Sequence, residues 1–272
     1  MPILSQIHVY PVKSLAGIQV SEWPVDKNGL RYDRKWMLID RENQFLSQRK
    51  LPKMALIKTR ISGEQLILSA PGLEDFAVPL NPEAGDDVEV GIWKDQCLAK
   101  IVSPHADAWL TGFLNMDCRL VYHPDNRQRQ VDQRYANSSD QTAFSDGFPF
   151  LVVSENSLNA LNQAMGFEVS MIRFRPNLVV QGCDSFAEDS WRLININGIE
   201  FRLPKPCSRC SVPAIDPATA ISSKEPLTTL SRLRKWENQI YFGQNALHDN
   251  CGTLVVGAKI DILQTGPKQP PV

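Results

Sequence analysis

Leu193-Ile194-Asn195-Ile196-Asn197-Gly198-Ile199-Glu200-Phe201-Arg202-Leu203 decides the fold class. Two short apolar-rich runs flank Asn-Gly, the dipeptide best suited to the two left-handed positions of a tight hairpin turn. The stretch reads as a β-hairpin, and the pattern repeats outward from it. Trp36–Asp40 and Gln44–Leu46 flank Arg41-Glu42-Asn43. Ala55–Ile61 and Gln65–Ser69 flank Ser62-Gly63-Glu64, and Val88–Trp93 and Gln96–Val102 turn at Lys94-Asp95. Residues 4–12, Leu120–His123 and Leu178-Val179-Val180 are further strands, and Thr253–Val256 with Lys259–Leu263 form a last hairpin. Helical patterns are few. They cover Ala106–Leu114, Ser154–Met165 with Ser154 as N-cap, and Pro226–Trp236 with Pro226 in the first turn. Short strands joined by polar turns predict a mainly β (α+β) chain built from barrels or sandwiches.

The chain has 272 residues, enough for about two domains and a sizeable core. Its 29 Lys and Arg against 30 Asp and Glu exclude the strongly basic surface of a general nucleic-acid binder. No apolar run approaches the length of a membrane span, and Met1–Tyr10 lacks the pattern of a secretory signal. Six cysteines are too sparse for a disulfide scaffold. The expected setting is therefore reducing and cytoplasmic, with neither nucleic acid nor membrane as partner. Residues 124–140 read as a long polar loop. The tail, Gly266-Pro267-Lys268-Gln269-Pro270-Pro271-Val272, has linker composition.

Cys207-Ser208-Arg209-Cys210 is the one sharp local motif. Two thiols so spaced can share a metal, exchange as a disulfide, or be ordinary thiols. Structural zinc needs four ligands. Cys183 and Cys251 are not paired, and His8, His105, His123 and His248 have no zinc-like spacing to the motif. A thioredoxin-like pair needs a strand-to-helix turn, whereas this one follows a hairpin and lies between Pro206 and Pro213. Cations add context. Lys13-Ser14 ends the first strand, Asp33-Arg34 precedes the second, and Arg173-Phe174-Arg175-Pro176-Asn177 leads into another. Cations at strand ends, where loops position function, predict an anion site. Lys supplies a point charge and Arg a bidentate fork. No Gly-rich phosphate loop and no Gly-x-Ser-x-Gly elbow is present. Glu188-Asp189-Ser190 reads as solvated or capping acids, His248-Asp249 as structural. Trp191, Trp236 and Phe148-Pro149-Phe150 read as core.

Several motifs together carry a family resemblance. They are Tyr10-Pro11-Val12-Lys13-Ser14, Tyr32-Asp33-Arg34-Lys35-Trp36, Phe144-Ser145-Asp146, Pro149-Phe150-Leu151, Arg173-Phe174-Arg175-Pro176-Asn177, Ala187-Glu188-Asp189-Ser190-Trp191 and Cys207-Ser208-Arg209-Cys210. Asp216-Pro217, Lys224-Glu225-Pro226-Leu227 and Phe242-Gly243 follow in the same order. The chain resembles the MOSC-domain proteins with an N-terminal MOSC β-barrel domain, of the YcbX and mitochondrial amidoxime reducing component type. The resemblance implies an N-terminal β domain over 1–100, a MOSC β-barrel with peripheral helices over 101–265, and a proline-rich tail over 266–272. It implies a molybdenum cofactor of the molybdopterin form, with Cys210 as the protein thiolate on the metal and Cys207 without a ligand role. A soft thiolate suits a metal already held by dithiolene sulfurs.

By the same resemblance, Lys13, Ser14, Arg34, Arg175 and Asn177 surround the pterin and its phosphate, with Asp146 and Arg209 as neighbours. Gly147-Phe148 follow Ser145-Asp146 where the mitochondrial members carry small hydroxyl residues, so one or two side-chain hydrogen bonds to the pterin do not carry over, and backbone N–H groups could replace them. The implied activity is reduction of N-hydroxylated compounds: amidoximes, hydroxylamines and N-hydroxylated bases. Two electrons and protons release water and the amine. YcbX-type proteins carry a C-terminal two-iron ferredoxin domain, and no cysteine follows Cys251. Electrons are therefore expected from a separate electron-transfer protein, ferredoxin-like or flavin-bearing, or from a domain beyond this sequence. Two alternatives remain at this level: a sulfur carrier or transferase using a cysteine persulfide, and a non-catalytic module for a phosphate-bearing cofactor such as pyridoxal phosphate.

Overall fold

The computed structural model describes residues 1–82 and 84–272. Strand accounts for 39% of the chain and helix for 17%, so the fold is mainly β. The largest sheet runs in the order Ile260–Thr265, Trp191–Ile196, Ile199–Ser208, Gln239–His248, Phe150–Ser154, Leu178–Gln181, Ile3–Val9 and Ile18–Val20. Every neighbouring pair along it is antiparallel except Phe150–Ser154 with Leu178–Gln181. The sheet curls until its ends meet. Ile3 bridges Lys259, and Leu4 donates its N–H to the Ala258 carbonyl at 2.9 Å. Closure removes the free edges and encloses Leu4, Ile7, Phe150, Val152, Ile194 and Phe201, all at most 1% exposed.

The Asn197-Gly198 turn forms as expected, with φ of 53° and 79°. The strands it joins pair from Leu193↔Arg202 to Ile196↔Ile199. A second barrel is built on Trp36–Ile39, Arg119–Tyr122, Asp95–Ile101 and Asp87–Ile92. It closes through residues 43–46. Leu46 N–H donates to Leu38, Phe45 N–H donates to Gly91, and Gly91 N–H donates to Asn43. Pro104–Leu114 and Glu155–Met165 are capped as their sequences dictate. The Ser103 and Ser154 hydroxyls accept N–H bonds in the first turns, and Asn115 and Gly166 end the helices in the left-handed region.

Several expectations need correction. Gly252–Val255 and Ile260–Thr265 do not form a hairpin: the first pairs with Glu22–Asp26, the second with Trp191–Ile196. Gly257 turns the chain across the first strand, donating to Leu4, so each run meets a distant partner. The third helix stops at Leu233, because Lys235–Trp236 folds back on Gln239 and Ile240. Trp236 is therefore 39% exposed rather than core. The tail is docked, not free. Gly266 and Gln269 N–H groups donate to Ser190 and Asp189 carbonyls, and Arg234 donates to the Val272 carbonyl at 3.0 Å. Finally, Glu188 and Asp189 are not solvated but 1% exposed. Glu188 accepts from Ser154 N–H and the Ser157 hydroxyl, and Asp189 from Gln244 and, at 2.5 Å, Arg234. The first strand, Ile3–Val9, pairs with Leu178–Gln181 inside the larger barrel.

Candidate functional site

The two barrels meet along an open cleft, and the chain crosses the junction several times. Trp36 N–H donates to Pro11, Lys13 N–H to Trp36, Arg34 N–H to Tyr10, and Phe144 N–H to Arg34. These crossings bring Lys13, Ser14, Arg34, Asp146, Arg175, Asn177, Cys207, Arg209 and Cys210 to one set of walls. Cys210 and the seven residues expected around the cofactor all line it, and so does Cys207. Their backbones are unusual. Ser14, Arg34 and Arg175 have φ of 66°, 49° and 57°. Non-glycine residues rarely occupy this left-handed region, and such strain gathers at sites where side chains must be aimed.

Lys13 is 5% exposed and donates to the Phe144 carbonyl at 2.8 Å and to Asp146 Oδ1 at 2.5 Å. Burial lowers its pKa, and Asp146 opposes the shift. The Asp146 side chain opens into the cleft, 68% exposed. The surrounding protein alone would raise its pKa, but Lys13 overrides that and holds the carboxyl well below the usual range. Arg34 donates to Asp33, to Asn177 Oδ1 at 3.0 Å and to the Arg175 carbonyl at 3.3 Å. Asn177 Nδ2 donates to the His8 carbonyl, so this side chain braces Arg34 against the first strand. Arg175 donates to the Leu15 carbonyl at 2.6 Å. Burial and the charge of Arg34 push its pKa down to about 10. Both guanidinium groups lie on Tyr10, 4.4 and 4.2 Å from its ring centroid.

Arg209 donates to Cys207 Sγ at 3.1 Å and to the Phe174 carbonyl at 2.7 Å. Its Nε is buried without a partner among the described residues. Cys207 is half-buried, whereas Cys210 is an exposed free thiol on the cleft wall. Among the described residues, no group of three or more His, Cys, Asp and Glu side chains could hold a metal ion. A metal reaching Cys210 would need its other ligands from a non-protein group. Lys13, Arg34, Arg49, Arg175 and Arg209 face one carboxylate, Asp146, across the cleft, and the Asp33 carboxylate behind it serves Arg34. The excess of positive charge on partly buried walls, with an Arg209 Nε that has no partner among the described residues, suits an anionic ligand placed beside a soft thiolate.

Sequence reading missed Arg129, Phe45, Arg49 and Trp93. Arg129 lies in the polar loop but is 5% exposed, and donates to the carbonyls of Ala143 and Ser145 at 2.9 and 2.6 Å. It therefore clamps the segment that presents Asp146. Trp93, with Lys94, forms the turn assigned from sequence to Lys94-Asp95, and its φ is 59°. An indole at a hairpin tip is itself a signal, since turns favour Asn, Asp and Gly.

The fold is a pair of β-barrels with a cation-walled cleft between them and the exposed Cys210 thiol on its wall. The description "MOSC N-terminal beta barrel domain" matches residues 1–117, and "MOSC domain" matches residues 139–261. The chain is 36% identical to mitochondrial amidoxime-reducing component 1 of Mus musculus and 35% identical to that of Homo sapiens. In both cases the match covers 96% of this chain and 82% of the relative. Molybdenum cofactor sulfurase of Homo sapiens is 26% identical over 90% of this chain, but only 30% of that protein is matched. The chain belongs to the MOSC-domain family that includes the amidoxime-reducing components. Among the described residues, no helix is long and apolar enough to cross a membrane.

Proposed function

We propose that this cleft binds a molybdenum cofactor and that the protein reduces N-hydroxylated compounds such as amidoximes and hydroxylamines. The observation that carries the reading is the exposed Cys210 thiol on the same walls as Lys13, Arg34, Arg175 and Arg209. The names of the two amidoxime-reducing relatives point to the substrate class. When bound, the cofactor supplies the two-electron chemistry that cleaves the N–O bond. The chain's own residues do the rest. Cys210 anchors the metal through its thiolate. Arg34, Lys13 and Arg175 neutralise the phosphate end, and Asn177 holds Arg34 in register. Arg209 supplies an unsatisfied donor from the strand end that carries Cys210. Electrons arrive from a separate carrier protein.

In cofactor-loaded protein, Cys210→Ser or Cys210→Ala abolishes amidoxime reduction, while Cys207→Ser retains much of it. Steady-state turnover beside elemental analysis for molybdenum checks both. Full activity in Cys210→Ala would remove the assigned ligand. The exposed thiol and the sulfurase relative favour one second reading, a persulfide carrier. Intact mass spectrometry separates it, since a carrier gains one sulfur on Cys210 and needs no molybdenum.

A further inference from the structure

Trp93 is an anomaly that binding the cofactor phosphate does not explain. It sits at the tip of the hairpin between Asp87–Ile92 and Asp95–Ile101, in the left-handed region at φ 59°, and remains 49% exposed. A large apolar ring in a strained turn, half in water, is unfavourable for folding on both counts. Yet its placement is determined from three sides. The indole N–H donates to Asp146 Oδ1 at 3.1 Å. The Arg49 guanidinium lies 4.0 Å from the ring centroid. Phe45 packs against it with centroids 4.9 Å apart and planes at 58°. The hairpin belongs to the N-terminal barrel, whereas Asp146 follows the junction into the larger one.

Trp93 also belongs to two spaces at once. It lines the cleft that holds Cys210, and it lines an adjoining pocket of about 610 Å³ beside Tyr135 and Phe148. Asp146, Gly147 and Phe148 are shared by both spaces as well. A substrate approaching the thiol from this pocket passes the open half of the indole. We infer that Trp93 is a specificity-determining residue: a stacking wall that selects flat, conjugated N-hydroxylated compounds over small aliphatic ones. Aromatic faces favour offset or edge contacts with planar partners beyond simple area burial. The inference rests on the reductase reading of the same cleft and adds which members of that substrate class the chain prefers.

The test compares benzamidoxime with acetamidoxime on cofactor-loaded wild type, Trp93→Ala and Trp93→Phe. Trp93→Ala is expected to lower the benzamidoxime-to-acetamidoxime ratio of kcat/KM about five- to tenfold, mainly through KM for the aromatic compound. Trp93→Phe keeps a flat ring but loses the N–H to Asp146, and is expected to keep most of that ratio. A ratio unchanged in Trp93→Ala, or lost equally in Trp93→Phe, overturns the stacking role. Calorimetric binding of benzamidine and acetamidine to the same three proteins needs no turnover and is expected to show the same loss of preference in Trp93→Ala. Wild type that reduces neither amidoxime would instead overturn the reductase reading, and the calorimetric ratios would then decide this one.

Discussion

Arg34 and Arg175 share the face of one buried tyrosine, and that sharing sets the character of the site. Tyr10 is 1% exposed, and burial pushes its phenol up to about 12, so it stays neutral while the two cations crowd it. Asp33 pairs its charge with Arg34 and also accepts the Tyr10 N–H. Burial raises the Asp33 carboxyl, and Arg34 pulls it back. Among the described residues, Arg175 has no carboxylate as a hydrogen-bond partner, and burial first, then the charge of Arg34, lower its pKa against the pull of Asp33 and Asp146. An anion in the cleft relieves the imbalance. Arg34→Ala is therefore expected to lower cofactor affinity by about ten- to a hundredfold, since a hydrogen bond to a charged group contributes about 1.5–3 kcal/mol. Arg34→Lys keeps the charge but not the fork, so it is expected to fall between. Molybdenum content after identical purification checks the series, and equal content in Arg34→Ala and wild type would count against the assignment.

Between elements, one close approach lies where Gln239–His248 pairs with Phe150–Ser154. Gly243 has φ +79°, and a Cβ there would stand 2.7 Å from Val153 Cγ2 and 2.8 Å from the Val152 carbonyl. Gly243→Ala is expected to destabilise the fold by about 2–4 kcal/mol, the combined effect of left-handed strain and overpacking. Urea denaturation measures it, and a shift below about 0.5 kcal/mol would mean that the strands part freely. Phe242-Gly243 was legible as a family motif, but its steric reason appears only with the neighbouring strand in place. The same division runs through the fold. Local signals located the Asn197-Gly198 hairpin and the Ser154 cap, because a turn or cap is determined by a few adjacent residues. Long-range pairing was not legible. Nothing within Gly252–Val255 indicates that Leu254 will face Trp23 rather than fold back. At the site, cations at strand ends were readable as single residues. Their convergence was readable only through resemblance, and Trp93 was missed because its role comes from a barrel it does not belong to.

Charge is distributed unevenly over the whole molecule: the chain carries a net charge of −1, yet its barrel junction buries cations. Lys13, Lys35 and Arg129 are each 5% exposed. His123, 0% exposed, lies among them with both ring nitrogens unpartnered among the described residues and the Phe144 ring edge-on at 5.3 Å. Burial first, then the charges of Lys35 and Arg129, lower its pKa to about 3, with Asp125 opposing. The folded protein therefore keeps this imidazole neutral where the unfolded chain protonates it below about 6.5. Above that pH neither state carries the proton, and His123 adds no pH dependence. Below it the unfolded state binds more protons, so stability falls as pH falls, by about 1.4 kcal/mol per pH unit from this group. The window runs from 6.5 down to about 3. Buried carboxyls such as Glu188 and Asp189 have raised values and act in the opposite direction, so the slope of the wild type alone mixes both. The difference between two proteins isolates the imidazole. His123→Leu removes two unpartnered polar atoms from an apolar wall, so at pH 7.5 it is expected to be near neutral or mildly stabilising. At pH 4.5 it is expected to gain about 3 kcal/mol more relative to wild type. Urea unfolding of both proteins at the two pH values measures this directly. Parallel pH dependence would show that protons, and with them water, reach the junction in the folded state.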